Sequence, residues 1–179
     1  MRFVLIDRIV DIEPGRSLLA LKNLTLGEEY LADHFPGFPV MPGVLMLEAL
    51  TQAAAWLIRD HEDFAHSLIL LKSARTIKYQ SFLEPGRQLL LHVEMQEFGP
   101  RDAVFKGEGR VEDQVIVRGR FTLTRSNLRE RNPALHATDR LLVESLRELY
   151  ATLRKGSVGA KAMARPAGAA VVAAPSVGA

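Results

Sequence analysis

Two side chains in the run from His34 to Gln52 are placed to move protons. His34 stands in a loop stiffened by Pro36, Pro39 and Pro42, and Glu48 is the only acid in Val44-Leu45-Met46-Leu47-Glu48-Ala49-Leu50. Carrying a carboxylate into an apolar helix is costly unless the charge is paired or used. A histidine and an acid between apolar walls form a general acid–base pair, each member typically contributing ~10²- to 10⁴-fold. Gly43 adds a third part. Its N–H is one of the unpaired donors of a helix's first turn, with no side chain to cover it, and a carbonyl oxygen docked there would be polarised. One such oxyanion donor is commonly worth ~3 kcal/mol of barrier. Gln52 lies one turn beyond Glu48 on the same helix face and can hydrogen-bond its carboxylate. Base, acid and oxyanion donor together are what abstraction of a proton next to a carbonyl requires.

The surrounding pattern predicts the elements that hold these groups. Pro42 suits a helix start, since its missing N–H would be unpaired there. The helix should run from about Gly43 to Arg59, and being apolar on nearly every side it should be enclosed. Strands are expected at about 2–12 and 17–25, joined by the turn Glu13-Pro14-Gly15. Residues 26–42 read as irregular. Further strands are expected at about 67–79, 87–98, 102–112 and 114–125, the last three joined by breaks short enough for hairpins. The result is an α+β domain over residues 1–126, with an antiparallel sheet of about six strands wrapped around one long helix. A helical extension follows over 127–155, with Thr138 as N-cap and a stripe of Leu141, Leu142, Ser145, Leu146, Leu149 and Leu153. From Gly156 to the end, Ala, Gly, Val and Pro without periodicity read as a disordered tail.

Composition bounds the function. At 179 residues, 47% hydrophobic and 25% charged, the chain is an ordinary globular domain. No run approaches the ~20 apolar residues of a membrane span, and Asp7 interrupts the N-terminal apolar run too early for a signal peptide. The absence of cysteine removes disulfides, thiolate nucleophiles and Cys-ligated zinc. A cytoplasmic protein is the expectation. Residues 1–124 carry 14 basic and 17 acidic side chains, a net of −3, whereas 125–179 carry 9 and 4, a net of +5. The basicity therefore sits in the extension, which does not fit a nucleic-acid-binding domain. His61, His66, His92 and His136 lack metal-ligand spacing and are read as structural.

The string His34-Phe35-Pro36-Gly37 … Pro39-Val40-Met41-Pro42-Gly43-Val44-Leu45 … Glu48-Ala49, at this spacing, resembles the β-hydroxyacyl-acyl-carrier-protein dehydratases of the FabZ type. The likeness extends from Val4-Leu5-Ile6-Asp7-Arg8 through Glu13-Pro14-Gly15 and Ala20-Leu21-Lys22-Asn23 to the last strand, about residues 3–124. It implies a hotdog fold and no metal or organic cofactor. It further implies that His34 removes the α-proton with its ring held by the Val40 carbonyl, and that the Gly43 amide binds the thioester carbonyl. Glu48, supplied by the other subunit, would help the β-hydroxyl leave as water, giving a trans-2-enoyl thioester. A homodimer or trimer of dimers, an acyl carrier protein as partner and a cis peptide between His34 and Phe35 are implied too. Phe35, Phe38, Val40 and Gln52 join Gly43 as candidate substrate-site residues.

The chain departs from that family in three places. Asp33 replaces the usual glycine before the histidine. The stretch Lys78-Tyr79-Gln80-Ser81-Phe82-Leu83-Glu84-Pro85-Gly86-Arg87 differs from the family's Arg-Phe-x-Arg-Pro-Val-x-Pro-Gly-Asp, and the C-terminal extension of about 50 residues is additional. Lys72, Arg75, Lys78, Arg101, Arg118 and Arg120 are candidates for meeting an acidic carrier protein. A hotdog thioesterase is the alternative enzyme, though it would need only the helix carboxylate and a water. A non-catalytic acyl-binding subunit is the alternative outside catalysis, and retention of both His34 and Glu48 argues against it.

Overall fold

The computed structural model of the chain describes residues 4–155; the expected disordered tail from Gly156 lies outside the described residues. Its elements are β1 (Arg8–Glu13), β2 (Ser17–Asn23), α1 (Gly43–His61), β3 (Leu68–Tyr79), β4 (Gln88–Phe98), β5 (Asp102–Val111), β6 (Gln114–Ser126) and α2 (His136–Leu153). The six strands form one sheet in the order β1-β2-β4-β5-β6-β3, and every pairing is antiparallel. Alternation along the strands turns Leu18, Leu89, Leu91, Val93, Ala103, Phe105, Phe121 and Leu123 inward onto α1. Ala49, Ala53 and Ala54 are fully buried, and small side chains there let the helix lie close to the sheet. At the β1–β2 turn Gly15 has φ of +70°, and a Cβ there would come within 2.8 Å of the His61 ring. Both facts demand glycine.

Four expectations are corrected. The first strand begins at Arg8, not at residue 2. Leu5 and Ile6 are buried, and the Leu5 N–H goes to the Gln52 side chain instead of a neighbouring strand. The central helix runs to His61, and Val44 on its first turn is 69% exposed, so the helix is not enclosed at that end. Thr138 is not the N-cap: α2 starts at His136 after a short 3-10 turn at Pro133–Leu135. The packing stripe is also rotated. Val143, Leu146, Leu149, Tyr150 and Leu153 face the core, while Leu141 is 61% exposed.

The reason for that rotation is Asp139. It is buried, and its carboxylate accepts from the Ser67 hydroxyl and from the backbone N–H groups of Leu128 and Arg129, both at 2.9 Å. Fixing Asp139 inward sets the phase of the helix, so residues 143, 146, 150 and 153 follow on the same face. Against α1, the Tyr150 ring stacks on Trp56 at 5.7 Å and its hydroxyl donates to Asp60. Arg147 reaches Asp63 at 2.9 Å.

At the far edge of the sheet, β3 pairs with β6 alone among the described residues. Twelve residues of strand edge are thus open, and Leu70, Leu71 and Tyr79 are exposed on this strand. No helix among the described residues is long and apolar enough to cross a membrane.

Candidate active site

The loop before α1 is folded so as to hold one ring. Phe35 and Phe38 exchange backbone hydrogen bonds of 3.1 and 2.9 Å around Gly37, whose φ is +81°. The Val40 N–H returns to the His34 carbonyl at 3.0 Å, and the Met41 N–H ties the loop to the Leu83 carbonyl at 2.9 Å. The His34–Phe35 peptide is cis, and the two rings stack at 4.1 Å. His34 Nδ1 lies 3.0 Å from the Val40 carbonyl oxygen. A carbonyl only accepts, so in this bond Nδ1 carries the hydrogen. The neutral ring then has its lone pair on Nε2, pointing away from the chain's own partner and available as a base.

Glu48 is held from the opposite direction. Gln52 Nε2 donates to Glu48 Oε1 at 3.0 Å, while Gln52 Oε1 accepts from the Leu5 N–H at 3.0 Å. Because a peptide N–H only donates, Leu5 fixes which way the Gln52 amide points, and the amide in turn orients the carboxylate. One turn earlier, the Gly43 N–H makes no hydrogen bond to another backbone group among the described residues. The Tyr79 ring lies over Gly43, and a Cβ at that position would stand 3.1 Å from it. Glycine therefore leaves room for both the ring and the open amide.

Val40 and Met41 are buried, whereas Phe35 and Phe38 are 50% and 45% exposed; Asp33 faces solvent. Phe38 meets the 62% exposed Phe82 edge-on at 5.6 Å, so three aromatic side chains stand open around the His34 loop.

His34 and Glu48 do not meet within the chain. Neither a hydrogen bond nor an ion pair within 4.0 Å joins them among the described residues, and the cavity that Glu48 lines does not include His34. Of the six basic candidates, Lys72 is paired with Asp102, and Arg101 with Glu130 at 2.9 Å. Arg75 faces Arg120 and Lys78 faces Arg118 across β3 and β6, all four exposed. Two of the histidines outside the loop have structural neighbours: His66 pairs with Glu62 at 2.7 Å, and His61 packs edge-on to Phe98.

Two residues near the site escaped sequence reasoning. Tyr79 reaches Gly43 only because β3 crosses the start of α1, a long-range contact with no local signal; burial raises its hydroxyl pKa. Arg59 lines the same cavity as Glu48. Its signal was in the spacing, since positions 48, 52, 55 and 59 share one helix face.

Residues 1–120 match the family model for the FabA-like domain. The 3-hydroxyacyl-acyl-carrier-protein dehydratase FabZ of Pediococcus pentosaceus is 40% identical over 116 residues, covering 65% of this chain and 78% of that protein. The enzyme of the same name from Albidiferax ferrireducens is 39% identical over 123 residues, covering 67% and 82%. Among solved structures, the dehydratase heterocomplex ApeI:P from Xenorhabdus doucetiae superposes with a TM-score of 0.61 at 19% identity, over 74% of this chain and 90% of that one. The conserved protein PA5202 from Pseudomonas aeruginosa gives 0.54 at 16% identity, over 66% and 87%. At such identities these structures speak for the fold alone, which is the hotdog fold. The chain belongs to the FabA-like family and lies among its FabZ-type dehydratases.

Proposed function

We propose that this protein dehydrates β-hydroxyacyl thioesters carried on acyl carrier protein to trans-2-enoyl thioesters, in fatty-acid or related acyl-chain synthesis. The observation that carries the reading is the His34 ring, tethered through Nδ1 to Val40 so that Nε2 is the free base, in a chain 40% identical to an enzyme of that name. His34 Nε2 takes a proton from the carbon next to the thioester carbonyl, while the Gly43 N–H and the start of α1 stabilise the charge that develops on the carbonyl oxygen. The electron pair forms the carbon–carbon double bond as the bond to the β-hydroxyl breaks. Glu48, oriented by Gln52, supplies the proton with which that hydroxyl leaves as water. Val40 acts through the ring; Phe35 and Phe38 form the mouth.

Because His34 and Glu48 are apart in one chain, the site is completed by a second copy. The open β3 edge and the exposed Val44, Phe35 and Phe38 supply the surface for a homodimer, since monomers rarely expose large apolar patches or long bare edges. Arg75, Lys78, Arg118 and Arg120 on β3 and β6, exposed and without an ion pair among the described residues, suit an acidic carrier protein. Such a reaction belongs in the cytoplasm, and a chain without cysteine is at home there.

The test is enoyl formation from β-hydroxyacyl carrier proteins, followed by absorbance. His34→Ala and Glu48→Gln should each cost ~10²- to 10⁴-fold. Thiol release without enoyl product would point to a thioesterase instead.

A further inference from the structure

Glu48, Ala55, Trp56 and Arg59 lie along one stripe of α1 and line a cavity of about 210 Å³ whose far wall is Leu146 and Leu149 of α2. Glu48 and Arg59 stand at its two ends, eleven residues or roughly 16 Å apart along the helix axis. Between them Thr51 and Gln52 border the Glu48 end, and Ala55, Trp56, Ile69, Leu146 and Leu149 make the rest of the wall apolar. The far wall comes from a part of the chain beyond the residues 1–120 that the family shares.

Arg59 is out of keeping with that setting. It is only 9% exposed, and its Nε has no hydrogen-bond partner among the described residues. The Trp56 ring covers one face of the guanidinium at 5.0 Å, and no carboxylate among the described residues lies within ion-pairing distance. The acids at that end of α1 are all committed elsewhere. Glu62 pairs with Arg125 at 3.1 Å and with His66, Asp63 pairs with Arg147, and Asp60 accepts from Tyr150. Burial pushes the Arg59 pKa down to about 10, with Glu62 working the other way, so the side chain remains a cation at neutral pH. A buried cation without a counter-charge is unfavourable unless something arrives to pair with it.

We infer that the groove beneath α2 receives the distal part of the substrate's acyl chain, and that Arg59 binds a carboxylate at the end of that chain. The inference rests on the dehydratase reading and names the substrate class of that same site: β-hydroxyacyl thioesters whose far end is acidic. Ala55, Trp56, Leu146 and Leu149 take the methylenes. A terminal carboxylate offers Arg59 two parallel charge-assisted hydrogen bonds, whereas a terminal methyl leaves it desolvated and unpaired. Sites built around a buried polar group reject ligands that lack its partner far better than apolar pockets reject a changed methylene.

The test uses the full chain and two β-hydroxyacyl carrier proteins of equal acyl length, one ending in methyl and one in carboxylate. The carboxylate-ended substrate should show kcat/KM at least about tenfold higher. Arg59→Met should reverse that order, and Arg59→Lys should keep part of it. The wild-type comparison needs no variant and so stands even if Arg59→Met folds poorly. Equal turnover, or preference for the methyl end, overturns the inference and leaves the dehydratase reading intact. Should neither substrate yield enoyl product, the dehydratase reading fails. Binding of the two carrier proteins to His34→Ala then decides: tighter binding of the carboxylate-ended chain supports the inference, and equal binding overturns it.

Discussion

The two ends of α1 are finished in different ways. At its C-terminal end the chain covers its own helix: Tyr150 stacks on Trp56, Leu153 is 4% exposed, and every acid nearby has a partner. At its N-terminal end Val44 is 69% exposed, the Gly43 amide is open, and Phe35, Phe38 and Phe82 stand in solvent beside a bare strand edge. Both ends are rich in apolar and aromatic side chains, so composition does not separate them. The difference lies in what each lacks. The covered end is closed by the chain's own α2, over the groove that holds Arg59, whereas the open end carries the proposed proton-transfer groups and, in the proposed reading, is completed by a second copy.

Adding charge at the open end should have the largest effect. Val44→Glu places an acid in the first turn of α1, where the helix dipole favours it. The helix should therefore form normally and keep its far-ultraviolet circular dichroism. Sedimentation should nevertheless show the mass halved to a monomer, with enoyl formation lost. A Val44→Glu dimer of full activity would mean that this end is not an interface.

The covered end should respond in stability and not in association. Leu153→Ala empties a buried site and should cost about 2–5 kcal/mol, read by chemical denaturation, while the mass in solution stays unchanged. Tyr150→Phe removes one hydrogen bond and should cost about 1 kcal/mol. A change of oligomeric state in either variant would erase the distinction between the two ends.

The smallest effect expected is in the titration of the covered end. Burial works to raise the Asp139 pKa, but the hydrogen bonds from Ser67, Arg129 and Leu128 outweigh it and hold the carboxyl below its ordinary value; Arg147 does the same to Asp63 by hydrogen bond and charge. A depressed carboxylate stabilises the fold above its unfolded pKa of about 3.9 and loses that contribution as pH falls through the folded value. Tyr150 is raised to about 12, by burial first and then by Asp60. Its contribution is complete below the unfolded value of about 10 and is lost as pH rises towards the folded one. Trp56 fluorescence should therefore report loosening of α2 in acid below about pH 4 and again above about pH 10. A signal flat across both windows would show that these groups do not hold the helix.

The sequence made some of this legible and hid the rest for physical reasons. The six strands, their antiparallel pairing and the helix from Gly43 were readable because alternation, turn residues and a long apolar run are local signals. The bond from Gln52 to Glu48 followed from one-turn spacing. The phase of α2 did not follow, because it is set by Asp139 reaching back to Ser67, 72 residues away, and a stripe of leucines alone misplaced Leu141. Tyr79 over Gly43 is likewise a contact between distant segments. Arg59 could have been found from its place on the Glu48 stripe, but nothing local marks it as buried and unpaired.

The most direct test of a site shared between two copies is to mix two inactive variants. His34→Ala and Glu48→Gln should each be nearly inactive alone. If one chain supplies the base and the other the acid, random pairing of the two in equal amounts builds one intact site in each mixed dimer, restoring about a quarter of wild-type activity. No recovery after confirmed subunit exchange would contradict it, placing both groups in the same chain's site.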